Sequence, residues 1–195
     1  MDKKIKNRPC NIGINTVNEF GKHTKKINNI ETNMELKDEI GQFAVRIKKM
    51  LPQVQNEDLT RNALVMPFIQ ILGFDPSEVQ SEAVLDFGVK KSKKVDYTIM
   101  KDGEPAILVE CKHHEDTLDI HDSRLSKYFR KTKAKYGLLT NGLVYRFYTE
   151  KMVKSKKNQE PLFEFKITDT KAATIAKLIE EHKDYFNVDQ KSVAS

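Results

Sequence analysis

The segment Lys93–His114, KKVDYTIMKDGEPAILVECKHH, constrains the fold more than any other stretch. Two runs rich in β-branched and aromatic residues flank Asp102-Gly103, a dipeptide suited to a tight chain reversal. They read as adjacent antiparallel strands, about Val95–Met100 and Ala106–Lys112. Yet Asp96 sits in the first strand, and Glu110-Cys111-Lys112 follows the apolar run Ile107-Leu108-Val109 in the second. Charged groups inside a sheet are costly unless they are paired or bind something.

Side chains alternate along a strand, so Glu110 and Lys112 share one face, while Cys111 continues the opposite face of Ile107 and Val109. The position of Asp96 depends on register. With a two-residue Asp-Gly loop, Asp96 faces Val109 and lies across the sheet from Glu110. An odd loop, such as three residues with Gly103 left-handed, puts Asp96 and Glu110 on one face. A joint role for the two acids therefore requires the odd loop.

The rest of the chain is organised around this hairpin. Met34–Leu51 carries Leu36, Ile40, Phe43, Ile47 and Leu51 at helical spacing, closed by Pro52. A second helix begins after Asn56, a good N-cap, with Glu57 and Asp58 suited to the positive helix end. Pro67 is expected to kink it and Gly73 to end it. A strand at Ser81–Phe87 precedes the hairpin. A third helix is expected over Ser123–Lys135, and YGLLTNGLVYRFYT forms a second hairpin around Asn141-Gly142. A Lys-rich loop, Lys151–Lys157, leads to the short strand LFEFKI. The closing helix, Lys171–Lys183, has Ile175, Leu178 and Ile179 on one side. The order α-α-β-β-β-α-β-β-β-α predicts an α/β sandwich, a mixed central β-sheet flanked by helices. Residues 34–195 form a single domain. Residues 1–33 form a basic polar arm, flexible or loosely docked, with seven Lys or Arg against three acids.

Bulk properties remove several function classes. No segment has the apolar length of a membrane span, and the first thirty residues lack the apolar block of a secretory signal. Only Cys10 and Cys111 are present, far apart, so a disulfide framework is not expected and a reducing cytoplasm fits best. There is no G-x-x-x-x-G-K-[ST] loop, so no ATP is expected to bind this chain. Cys111, His113, His114 and His121 match no common structural zinc spacing. The net charge of +6 suits either attraction to a polyanion or an ordinary solvated surface.

Two carboxylates brought together repel each other, and a hard divalent cation such as Mg²⁺ resolves this through oxygen ligands. A Lys beside them can orient or activate a water, or neutralise charge growing on a phosphate. The set Asp96, Glu110 and Lys112 is therefore equipment for phosphodiester hydrolysis. The same residues also suit a structural salt-bridge cluster at a sheet edge.

Val95-Asp96-Tyr97 followed by ILVECK resembles the motif of PD-(D/E)XK nucleases, with Val95 at the Pro position. LTRNALVMPFIQILGFD, KVDYTIMKDGEPAILVECK and YGLLTNGLVYRFYT together resemble the nuclease domain at the N-terminus of type I restriction enzyme R subunits and small stand-alone relatives. The similarity runs over roughly residues 55–168. It implies a restriction-endonuclease-like fold and Mg²⁺-dependent DNA cleavage, with Mn²⁺ as a substitute. Asp96 and Glu110 would be metal ligands, joined by the main-chain carbonyl of Cys111, and Lys112 would hold or activate the nucleophilic water. Family members often carry a glutamate on the first core helix, and Glu57 matches that place. Arg61, Leu64 and Phe68 follow it on the same side, although Glu57 also suits a helix N-terminus. Glu82 is a further candidate ligand or a solvent-facing strand residue.

One departure stands out. Relatives carry Gln-x-x-x-Tyr on the helix after the triad. Here the stretch reads RLSKY, with Tyr128 kept and Arg124 in place of Gln. Arg can grip a phosphate, but altered substrate choice or lost activity stays open. Arg124, Lys127, Lys131 and Lys135 form a stripe at helical spacing beside an apolar face containing Tyr128. This is either a phosphate rail or a solvated helix edge. Lys93 and Lys94 add positive charge just before Asp96. The expected partner is DNA, in a bacterial or phage-encoded, cytoplasmic restriction or conflict system. Cutting both strands would call for a homodimer or a partner subunit. The alternative is a nuclease-fold module that grips DNA or a protein without cleaving.

Overall fold

Six strands in sequential order make one mixed sheet in the computed structural model, which describes residues 35–81, 95–120, 124–155, 160–182 and 185. The basic arm, Glu82, Lys93, Lys94, His121 and all but the first residue of the strand expected at Ser81–Phe87 lie outside those residues.

Helix α1 spans 35–50 and buries Ile40, Phe43 and Ile47. Pro52 lies in the single 3₁₀ turn that follows, Leu51–Gln53. Asn56 caps α2 (Glu57–Thr60), its side chain accepting from the Leu59 N–H at 2.8 Å. The expected kink at Pro67 takes the form of a π-turn, Arg61–Val65, ahead of α3 (Met66–Ile71). Pro67 has no N–H for the carbonyl one turn back, and a wider turn absorbs the mismatch. Gly73, at φ +90°, ends the helix in the left-handed region.

Strand β1 covers Val79–Ser81 among the described residues. It pairs with β2 (Tyr97–Lys101), which pairs in turn with β3 (Glu104–Cys111), both antiparallel. The β3 chain then crosses over to β4 (Tyr136–Thr140), its parallel neighbour. The crossover contains α4, only Leu125–Phe129. The helix expected to reach Lys135 stops early because the Thr132 hydroxyl donates to Tyr128 O at 3.0 Å and accepts from Ala134 N at 3.3 Å, competing with further helical bonds. The lysine stripe is therefore not one helix face: Lys131 and Lys135 lie beyond α4.

Strand β4 turns into β5 (Val144–Thr149) through Asn141-Gly142-Leu143. The Lys-rich stretch read as a loop begins instead with a helix, α5 (Glu150–Lys154), capped by Thr149 and carrying a Lys154–Glu150 ion pair. Strand β6 (Phe163–Lys166) and helix α6 (Ala172–Glu181) follow.

Two cores sandwich the sheet. On one face, α1, α3 and α6 pack Ile40, Phe43, Phe68 and Ile175 against Tyr97, Val109, Cys111, Tyr145 and Phe165. On the other, α4 and α5 pack Leu125, Tyr128, Phe129 and Val153 against Leu108, Leu139 and Tyr148. This is the expected α/β sandwich, consistent with a restriction-endonuclease-like fold. Among the described residues no helix is long and apolar enough to cross a membrane.

Gly142 locks the second hairpin to the helical layer. Its φ is +78°, and an added Cβ would come within 2.7 Å of Leu64 Cβ. Gly142→Ala thus combines left-handed strain with overpacking, and we expect a loss of about 2–4 kcal/mol. Thermal unfolding checks this, and an unchanged midpoint would contradict it.

Candidate active site

The two acids reach a shared sheet face by an unexpected route. Asp102 (φ 51°) and Gly103 (φ 78°) form a two-residue turn, and Lys101 pairs with Glu104. The odd loop is therefore not formed. The extra residue appears further along β3: Met100 pairs with Pro105 and Ile99 with Ile107, leaving Ala106 as a bulge. Pro105 cannot donate to the ladder, so the irregularity falls where a regular bond is already missing. Beyond the bulge, Tyr97 pairs with Val109, and Asp96 N–H donates to Val109 O at 3.1 Å. Asp96 thereby comes opposite Glu110, on the same face of the sheet. A single surplus residue has the same effect in the strand as in the turn.

The two acids are buried, Asp96 with 4% of its side chain exposed and Glu110 with none. Asp96 Oδ2 accepts from the Cys111 N–H at 2.7 Å, and Oδ1 accepts from Arg61 at 3.3 Å. Lys112 Nζ lies 3.4 Å from Glu110 Oε1, so the two share a face as their spacing requires. Cys111 points into the other core, and burial pushes its thiol up. Arg124 closes the group. Its Nη2 lies 3.0 Å from Asp96 Oδ2 and 3.8 Å from Glu57 Oε1, and its Nε lies 3.3 Å from Glu110 Oε1. Its main-chain N–H donates a short bond to Glu110 Oε2.

Glu57, Asp96, Glu110 and Lys112 thus meet in one place, as their sequence positions suggested. The helical spacing of Glu57, Arg61, Leu64 and Phe68 holds as well: Leu64 and Phe68 are fully buried, Arg61 reaches Asp96, and Glu57 reaches the Arg124 guanidinium. Arg61 is the member with no role assigned from sequence alone. It bridges Asp96 to Asp58, the latter at 2.6 Å. Its place one turn after Glu57 was the available cue.

The neighbouring aromatic, basic and histidine residues take places of their own. Tyr128 is 1% exposed and belongs to the core under α4, so its side chain is not a surface group for DNA. Lys127 and Lys131 are exposed. Tyr145, Phe147 and Tyr148 are core residues. His113 and His114 both turn Nε2 towards Val54 O, at 3.3 and 2.8 Å.

The electrostatics follow from burial. Glu110 is raised above the ordinary carboxylate range by desolvation, opposed by Arg124 and Lys112. Its ionised form is therefore held at a net cost. The stability it contributes is fully present below the usual carboxylate range and is lost as pH rises through the raised value. Glu57 is also raised, first by burial and then by Asp96. Burial works against the Arg124 charge, but Asp96 and Glu110 outweigh it and hold the guanidinium protonated.

Glu110 Oε1 is buried and has no hydrogen-bond partner, though two cations lie within 3.5 Å of it. An under-satisfied carboxylate oxygen beside a second carboxylate is a set of hard donors suited to Mg²⁺, which commonly takes one or two carboxylates and keeps water. Among the described residues no three His, Cys, Asp or Glu side chains form a complete ligand group by themselves. Two carboxylate side chains, Asp96 and Glu110, are the hard donors that meet here.

The family model described as the type I restriction enzyme R protein N terminus matches residues 56–165. That span contains Glu57, Asp96, Glu110, Lys112 and Arg124. Comparison with curated proteins and with solved structures gives no match.

Proposed function

Because the chain belongs to the family of type I restriction enzyme R protein N termini, we propose that it is a PD-(D/E)XK endonuclease that hydrolyses DNA phosphodiester bonds with Mg²⁺. The observation that carries this reading is the meeting of buried Asp96 and Glu110 with Lys112 on one sheet face, reached only through the bulge at Ala106. The side chains of Asp96 and Glu110 and the main-chain carbonyl of Cys111 would hold the ion, with Glu57 as a further ligand and Mn²⁺ as a substitute. When bound, the ion polarises the phosphoryl oxygen and makes a nearby water more acidic.

The chain's own residues do the remaining work. Lys112 is the amine beside the acids, partly open to solvent, and can orient the attacking water or neutralise charge on the phosphate as a P–O bond breaks. Arg61 is fastened to Asp96 and Asp58, which fixes the direction of the Asp96 carboxylate. Exposed Lys127 and Lys131 can take neighbouring phosphates, a sequence-independent attraction that salt weakens. A duplex cut needs two such centres, supplied by a second copy or a partner subunit. The same reading puts the chain in a bacterial or phage restriction system.

One observation favours a second reading. The Arg124 guanidinium sits against both acids, an arrangement that also suits a module that holds DNA without cutting it. Supercoiled plasmid incubated with the protein in Mg²⁺, Mn²⁺ or EDTA separates the two. Nicked or linear product with either metal and none in EDTA is expected. A folded protein that retards DNA in a gel but never cuts it would leave the binding module.

A further inference from the structure

Arg124 stands where the acid cluster needs a positive charge. It contacts Asp96, Glu110 and Glu57 with its guanidinium, and it holds the second Glu110 oxygen with its main-chain N–H. Its side chain is 26% exposed, whereas those of Asp96 and Glu110 are 4% and 0%. The guanidinium therefore enters from the solvent side and stops at the oxygens that a divalent ion would have to reach. A guanidinium and a hard dication compete for the same lone pairs and cannot both sit between these carboxylates.

We propose that Arg124 is an internal counter-ion that competes with the divalent ion for Asp96 and Glu110, so that ion binding and release of the Arg124 side chain are one event. This rests on the nuclease reading above. The geometry permits the exchange: the main-chain bond from Arg124 to Glu110 can persist while the side chain swings outward. Arg61 and Lys112 stay beside the acids. The released guanidinium has a matching partner in a backbone phosphate, to which it binds as a fork. A phosphate that takes Arg124 makes the acids available to the ion, and by reciprocity the ion strengthens DNA binding. Buried acids thus stay neutralised until DNA and metal arrive together.

The test is Mn²⁺ binding, read from loss of the free-ion signal in electron paramagnetic resonance. The full chain is compared with Arg124→Gln, Arg124→Lys and Asp96→Asn. Removing the guanidinium should tighten Mn²⁺ binding by Arg124→Gln roughly 10–100-fold, with Arg124→Lys between it and wild type. Arg124→Gln should also melt lower than wild type in EDTA and gain more from Mn²⁺. In Ca²⁺ it should bind a duplex oligonucleotide more weakly. Circular dichroism shows whether the variant is folded, and Arg124→Lys keeps the comparison alive if it is not. Equal, measurable Mn²⁺ affinity in wild type and both Arg124 variants overturns the competition and leaves the nuclease reading standing. No Mn²⁺ binding by any folded variant overturns both. Tight binding that survives in Asp96→Asn would put the ion elsewhere and end the proposal.

Discussion

Lys112→Ala is expected to lower the rate of Mg²⁺-dependent plasmid cleavage on the order of 10³-fold, and Asp96→Asn by at least as much. The two act differently. Lys112 is 28% exposed and its contact with Glu110 is an ion pair at 3.4 Å. Losing it leaves Glu110 paired with Arg124 through both main chain and side chain. The unfolding midpoint should therefore move little, because a partly exposed pair adds little to stability. Asp96→Asn keeps an oxygen for the Cys111 N–H but removes the negative charge that two arginines face. Cleavage time courses on gels, with circular dichroism on the same samples, give the comparison. A Lys112→Ala protein that cuts at the wild-type rate removes the amine from the chemistry. Wild-type cutting by both variants traces the activity to a contaminant.

Phe68→Ala is expected to cost about 3–5 kcal/mol, the largest stability loss of any change considered. Phe68 is fully buried, with ring centroids 4.2 Å from Tyr145, 5.9 Å from Phe165 and 6.4 Å from Phe43. It is the point where α1, α3 and the sheet meet. Against a total stability of roughly 5–15 kcal/mol this is a fifth or more of the margin. The melting midpoint should fall by roughly 10 °C or more. Because α3 continues the helical run that carries Glu57 and Arg61, cleavage should fail when the core opens. At low temperature, activity per folded molecule should persist. Calorimetry beside low-temperature cleavage assays tests this, and full activity with an unchanged midpoint would show that the aromatic contacts do not hold the helix in place.

Much of this architecture was legible because local signals agreed with one another. Asn56 capped a helix, Asn141-Gly142 turned a hairpin, and the alternation around Ile107 and Val109 gave one of the two buried faces of β3. The charged residues that violated the pattern, Asp96, Glu110 and Lys112, are the ones the fold brings together, since charges in a sheet persist only with partners. What escaped was non-local. The bulge at Ala106 arises from competition between an ideal Asp102-Gly103 turn and a proline three residues from its start, and strand alternation does not reveal which gives way. The early end of α4 depends on one hydroxyl, Thr132, bonding both backwards and forwards. Helix α5 was hidden by its lysines, which read as loop until Glu150 and the Thr149 cap are considered together. Tyr128 followed the expected pattern in sequence but turns inwards, because Leu125 and Phe129 place that side of α4 against Leu108 and Leu139.

The offset at Ala106 also decouples the outer end of its hairpin from the chemistry. The tip, Lys101–Glu104, closes with its own tight turn, and the pairing of Tyr97 with Val109 is reset after the surplus residue. Alterations to the tip that preserve a two-residue reversal therefore leave the spacing of the carboxylates unchanged. A fluorophore or affinity handle attached there reports on the protein without disturbing the atoms that matter, which makes the tip the natural anchoring point for watching a single molecule at work.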